Sequence, residues 1–301
     1  MAEWRDPAVA ALREAMAAFT PQPGAPPPTW PERRAGIDAM GAAAPVPEGC
    51  QIEPLTLGGV PSEKITPRGA DATRTIFYLH GGGYCVGGCA SHRVMVARMA
   101  IEAGATAYTI DYRMAPEHRF PAAVDDALAA WRALLASGRN ASRTIIAGDS
   151  AGGGLSVATA IAARDAGLPL PAGLHLISPW ANLTNKSPAY QAKAQTDFII
   201  TQAGIDEFAI TYLAEADPTH PSASPLFADF SDLPPMLIQV GSEEVLMSDS
   251  IQLAERAGFA LVDVTLRIWP DMIHIWPFFA QLGASGRAIA ESSAWVKART
   301  P

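Results

Sequence analysis

From about residue 75 onward the chain alternates compact apolar runs with longer helix-compatible segments, and glycines stand at most of the joins. The runs are "TIFYL" (75–79), "ATAYTIDYR" (105–113), "RTIIAG" (143–148), "GLHLIS" (173–178), "PPMLIQVG" (234–241) and "DVTLRIW" (263–269). Between or after them lie "HRVMVARMAIEAG", "PAAVDDALAAWRALLASG", "AGGGLSVATAIAARDAG", "DSIQLAERAG" and "SGRAIAESSAWVKAR". The apolar runs read as strands buried on both faces, because they lack the polar–apolar alternation of a half-exposed sheet. Strand–helix alternation then predicts an α/β chain with a mostly parallel central sheet and helices on both faces. The helix over 121–138 is expected to begin at Pro121, in its first turn, and to end at Gly138.

Two regions depart from this plan. "IEPLTL" and "SEKIT" are expected as early strands at an antiparallel edge. Between Pro179 and Leu226 no strand is predicted, and "TDFIITQAGIDEFAITYLAEA" reads as helical. A helical cap is therefore expected as an insertion over about 182–216, inside a catalytic domain spanning 46–301. Residues 1–45 are expected to add N-terminal cap helices. Asp6 to Phe19 places Val9, Leu12, Met16 and Phe19 on one helical face, and the next stretch is alanine-rich and helical in part. The connector between them, "TPQPGAPPPTWPE", is too rich in proline to hold a helix or a central strand.

The net charge is −8 over 301 residues, which argues against nucleic acid as a partner, since phosphate binding needs clustered cations. No run of about 18 uninterrupted apolar residues predicts a membrane span, and Glu3, Asp6 and Glu14 are unlike the basic start of a secretory signal; a cytoplasmic location is expected. Cys50, Cys85 and Cys89 make no disulfide framework, and Cys85 and Cys89, four apart in a glycine-rich loop with only His92 nearby, fall short of a metal ligand set.

The join at Gly148-Asp149-Ser150-Ala151-Gly152 carries chemistry. It fits G-x-S-x-G, a weak pattern alone, but here it sits between a strand and a helix, as a nucleophile elbow requires. A serine hydroxyl is a poor nucleophile without a base, and acyl transfer needs donors for the developing oxyanion. His80-Gly81-Gly82-Gly83 follows the first central strand, where successive glycines let backbone N–H groups face a ligand. The oxyanion donors are assigned to Gly82, Gly83 and Ala151. Of six histidines, His274 follows the last strand on the same sheet edge as the elbow and is the expected base; His80 is read as bracing its loop, and His175 as a sheet residue. The acid is expected in the loop after "PPMLIQVG", where Glu243, Glu244 and Asp249 are available. Glu244 is favoured, with Asp249 as the cap of the following helix and Glu243 toward solvent. Phe198, Ile199 and Tyr212 are expected to line the substrate pocket.

Together, "HGGGYCVGG", "DYRMAPEHRFPAAVDDA", "GDSAGGGL", "SPWANL", "SASPL", "VGSEEVLMSDS" and the later His274 resemble the hormone-sensitive-lipase-like bacterial esterases, over about residues 75–275. The resemblance implies an α/β-hydrolase fold with a helical cap, a triad of Ser150, Glu244 and His274, no metal or organic cofactor, and hydrolysis of short- to medium-chain acyl esters as small-molecule substrates. Amides, lactones or carbamates could be served by the same triad, and a receptor-like member without catalysis is the remaining alternative. An exposed edge strand near the C-terminal end is compatible with a homodimer. The family usually has Asp where Glu244 stands, and often Asn where Gly154 stands, a change expected to loosen the start of the helix.

Overall fold

Strands whose residues are all buried form the centre of the molecule. The computed structural model describes residues 7–17 and 27–301. Its eight strands are β1 (Cys50–Leu57), β2 (Val60–Pro67), β3 (Asp71–Leu79), β4 (Ala105–Ile110), β5 (Thr144–Asp149), β6 (Gly173–Ile177), β7 (Met236–Gly241) and β8 (Val264–Trp269). They make one sheet in the order β1-β2-β4-β3-β5-β6-β7-β8. β2 runs antiparallel to both β1 and β4, and every pairing from β4 through β8 is parallel. β4 to β7 are buried at every position, whereas β8 at the open edge is half-exposed.

The helices are α1 (Pro7–Ala17), α2 (Trp30–Gly41), α3 (Cys89–Ala103), α4 (Ala122–Ala136), α5 (Ala151–Asp165), the short α6 (Ala189–Ala192), α7 (Gln202–Leu213), α8 (Met247–Phe259) and α9 (Gly283–Arg299). Alternate residues of β3 divide between two cores. Phe77 and Leu79 pack with residues of α4, α5 and α8, while Ile76 and Tyr78 pack with α3 and α9. That two-sided division is what a period-2 strand with apolar residues at every position produces.

Four local expectations need correction. The proline-rich connector does enter a helix: Trp30, Pro31 and Glu32 form the first turn of α2. Proline is tolerated there because that N–H has no intrahelical partner, and the Glu32 carboxylate accepts from the Thr29 N–H at 2.8 Å and hydroxyl at 2.7 Å. α4 begins one residue later than expected, with Pro121 before it in the N-cap position. α3 begins at Cys89, so this residue belongs to a helix and not to the glycine-rich loop. Residues 193–201 are not helical, because Asp197 Oδ1 accepts the N–H groups of Ile199 and Ile200 in a side-chain-closed turn. The expected helix from Asp6 to Phe19 is seen as α1; its outer ends, and most of the connector, lie outside the described residues. Among the described residues no helix is long and apolar enough to cross a membrane.

Candidate active site

The carboxyl ends of β3, β5, β6, β7 and β8 lie at one edge of the sheet, and the site is assembled from the loops that leave them. At the end of β5, Ser150 takes φ 51° and ψ −122°, a conformation that non-glycine residues avoid and that persists only when its surroundings over-determine it. Those surroundings are visible: the Ser150 N–H donates to Ile177 O at 2.9 Å, and its carbonyl accepts from Trp180 N at 2.8 Å. α5 must pass very close beneath the turn. A Cβ on Gly152 would lie 2.0 Å from the Leu79 carbonyl oxygen, and one on Gly154 would lie 2.1 Å from that of Trp180. In this chain the Trp180 backbone therefore comes closer to Gly154 than a Cβ would allow without a shift. Ser150 occupies the N-cap position of α5, yet its side chain makes no cap bond and instead faces an apolar cavity of about 290 Å³.

Gly82, Gly83 and His274 line the same cavity. Gly82 (φ 109°) and Gly83 (φ 59°) lie in the left-handed half of backbone space, and a Cβ on Gly83 would strike the Phe208 ring at 2.5 Å. His80 braces this loop: its ring stacks on Tyr112 at a centroid distance of 4.1 Å, and its carbonyl accepts from the Tyr112 hydroxyl at 2.8 Å. Burial, followed by the neighbouring His92, pushes His80 down to about 4, so it is neutral near pH 7.

His274 Nδ1 lies 2.7 Å from Glu244 Oε2, both side chains being buried. Glu244 Oε1 accepts from Ser178 Oγ at 2.7 Å and from Gly241 N at 2.5 Å. Ser178 Oγ in turn accepts from Ile275 N at 3.1 Å, next to the histidine. Burial acts to lower the His274 pKa, but the Glu244 hydrogen bond and charge, with Asp197 and Asp149 beyond, outweigh it and raise it. The other two carboxylates of this loop are engaged elsewhere. Glu243 pairs with Lys193 at 3.3 Å. Asp249 lies within α8 and is not its N-cap; it is fully buried and accepts from Ala181 N at 3.1 Å, Asn182 N at 3.0 Å and Ser187 Oγ at 3.2 Å.

Of the three expected pocket residues, Ile199 lines the cavity, beside Ile200, Ile205 and Phe208. Tyr212 does not: it is buried one layer back, stacked on Tyr84 at 3.9 Å. Phe198 turns away into the cluster formed by α1 and the segment after β8, with Arg13 over its ring at 5.9 Å. Walls that the sequence did not announce come from Met16, Ile37, Met40, Phe278 and Phe279. Two buried carboxylates were also missed. Asp197 Oδ2 accepts from Val245 N at 2.9 Å, tying the cavity wall to the Glu244 loop. Asp149, immediately before Ser150, accepts from Tyr78 OH at 2.7 Å and Gly81 N at 3.0 Å. Asp149 has one local signal, its place in the elbow, but its partners lie on other elements.

Comparison with known proteins agrees with this architecture. Residues 76–278 match a family described as having the alpha/beta hydrolase fold. An acetyl-hydrolase of Streptomyces hygroscopicus is 43% identical over 247 residues, 82% of each chain. The crystal structure of an esterase from the bacterial hormone-sensitive lipase family superposes with a TM-score of 0.95 at 38% identity, covering 100% of both chains. A hormone-sensitive lipase from a metagenome library gives a TM-score of 0.93 at 41% identity, again over 100% of both chains. The chain belongs to the bacterial hormone-sensitive-lipase family of α/β-hydrolases and is an enzyme of the hydrolase class, like the esterase and the acetyl-hydrolase it resembles.

Proposed function

We propose that the chain is a serine carboxylesterase acting on short- to medium-chain acyl esters through an acyl-enzyme. Ser150 Oγ attacks the ester carbonyl while His274 Nε2 takes its proton. Glu244 holds the Nδ1 proton, fixes the tautomer and stabilises the imidazolium. The N–H groups of Gly82, Gly83 and Ala151 receive the oxyanion. His274 then protonates the departing alcohol, and water repeats the sequence on the acyl-enzyme. α1, α2 and the segment about 182–216 act as the cap. No step calls for a metal or organic cofactor.

One observation carries this reading: a buried carboxylate–histidine pair at 2.7 Å opens on the same cavity as a serine in a strained elbow. The cavity volume and its apolar walls favour a small acyl group, and the acetyl-hydrolase relative points the same way. The test is release of p-nitrophenol from a series of p-nitrophenyl acyl esters by the purified protein. Activity should fall as the chain lengthens, and Ser150→Ala should abolish it. Full activity in that variant would sink the mechanism.

A further inference from the structure

His92 lies outside the proposed triad, on the first turn of α3, yet its ring lines the cavity that holds Ser150. Its Nε2 is 3.3 Å from Asp149 Oδ1. Its Nδ1 is 2.9 Å from Ser91 Oγ and 3.3 Å from Gly88 O. Ser91 Oγ also lies 3.0 Å from Gly88 O; with its proton on that carbonyl, both ring nitrogens of His92 face acceptors. An imidazole satisfies two acceptors only with both nitrogens protonated. The surroundings fit a cation. Asp149 comes from β5 and Asp38 from α2; Tyr78, from β3, donates to the same Asp149 oxygen, and Phe278 presents a ring at 5.4 Å. An opposing neighbour is His80, 5.6 Å away between ring centroids and neutral near pH 7.

Asp149 has need of such a partner. It is fully buried, and three groups crowd Oδ1 while Oδ2 has no hydrogen bond among the described residues. It is covalently next to the proposed nucleophile and holds Gly81 N, one residue before the proposed oxyanion donors. A bare carboxylate in that place would oppose negative charge growing on the substrate oxygen. We propose that His92 is a positioning residue, held as an imidazolium against Asp149, and that the pair anchors the start of the donor loop while cancelling the charge beside the oxyanion pocket. This rests on the serine-hydrolase reading and adds to it a residue that takes no part in the bonds made and broken and acts through Asp149.

His92→Gln leaves Asp149 uncompensated and should lower kcat by about tenfold to a hundredfold with KM little changed. Adding Asp149→Asn removes the stranded charge, while the amide oxygen can still accept from Tyr78 and Gly81. The double variant should regain at least tenfold over His92→Gln. Loss of packing alone predicts no such rescue, so a double variant no faster than His92→Gln overturns the proposal. Nitrogen-15 NMR of the unsubstituted protein at pH 7.5 gives an independent readout that does not depend on the variants folding: both His92 ring nitrogens should be protonated, and a neutral tautomer overturns the proposal. Ser150→Ala separates the two levels. If it abolishes turnover while the rescue fails, only the role of His92 is lost; if it does not, the serine mechanism itself is lost.

Discussion

Glu244→Gln is the most searching single perturbation of the site. The substitution is isosteric, and the amide oxygen can keep the place of Oε1, accepting from Ser178 Oγ and Gly241 N. The amide nitrogen then stands where Oε2 was, 2.7 Å from His274 Nδ1, and two donors meet. His274 can relieve the clash only by moving its proton to Nε2, the nitrogen that receives the Ser150 proton in the proposed mechanism. Trapping a triad in that tautomer costs about 10⁴ in kcat. The lost charge gives a second estimate: for charge centres about 4 Å apart and an effective dielectric constant of about 20, the imidazolium loses about 4 kcal/mol, or roughly 10³ in rate. The two are alternative measures of one loss, so the expected fall in kcat is about 10³- to 10⁴-fold with the melting temperature nearly unchanged. Initial rates on p-nitrophenyl acetate and a thermal melt measure both. Glu243→Gln, whose parent side chain pairs with Lys193, should stay within about threefold of the parent rate. A Glu244→Gln protein keeping more than about a tenth of the parent kcat would refute the assignment of the acid. The pH profile supplies a sign. His274 is raised above the ordinary histidine value of 6.5 chiefly by Glu244 acting against burial, so the acidic limb of kcat/KM should lie above 6.5 in the parent. In the residual activity of Glu244→Gln it should move to lower pH, because burial remains and the carboxylate does not.

Two further outcomes test the frame around the site. Gly152→Ala places a methyl 2.0 Å from the Leu79 carbonyl oxygen and 2.5 Å from that of His80; backbone cannot swing aside, so a loss of about 3 kcal/mol or more is expected in denaturant unfolding, and a variant within 1 kcal/mol of the parent, on the order of an ordinary surface change, would contradict the close approach. Burial pushes the Asp249 carboxyl up to about 7, against the pull of its backbone donors at Ala181 and Asn182. A raised folded-state value means the folded chain prefers the proton, so the cost of this group is nil below about pH 4, grows between about pH 4 and 7, and is complete above about pH 7. Asp249→Asn should therefore gain stability relative to the parent as pH rises through that window, by up to about 4 kcal/mol as an upper bound. Parallel denaturation at pH 4.5 and pH 8 checks this, and an equal difference at both would refute it.

The parts of the site legible in the sequence are those whose signal is local. Ser150 is announced by a strand, a glycine-bounded turn and a helix within one short segment, and the proposed donor loop by consecutive glycines after a strand. His274 and Glu244 follow from strand order, because a parallel sheet brings every strand's carboxyl end to one edge. What stayed hidden depends on contacts between distant segments. His92 looks like one polar residue on a mostly apolar helix until Asp149 is found 3.3 Å away. Asp197 reads as part of a helical stretch, yet its carboxylate closes a turn and reaches the loop after β7. Tyr212 and Phe198 are both aromatic residues of the insertion, and pattern alone could not tell a wall of the cavity from the layer behind it; stacking on Tyr84 decides the first and packing against α1 the second. The start of α2 was concealed for the opposite reason: a proline-rich composition masked a local cap at Thr29 and Glu32.

The glutamate at position 244 raises a question about reach. A glutamate has one more rotatable bond than an aspartate, and an unanchored longer arm would hold the histidine less firmly. Here the extra freedom is removed at both ends of the carboxylate. Ser178 from the end of β6 and Gly241 from the end of β7 fix Oε1, so Oε2 has one direction left, toward His274. Ser178 also takes the N–H of Ile275, so the groups that orient the acid orient the backbone beside the base. Asp197 joins Val245 to Ile199 and Ile200, linking the same loop to the cavity wall. The longer acid is thus held in a closed ring of hydrogen bonds across two strand ends and the loop after the last strand. Shortening it to aspartate would draw the carboxylate back by about one C–C bond length, 1.5 Å, and break that ring at Oε1 or at His274, since one carboxylate cannot then span both.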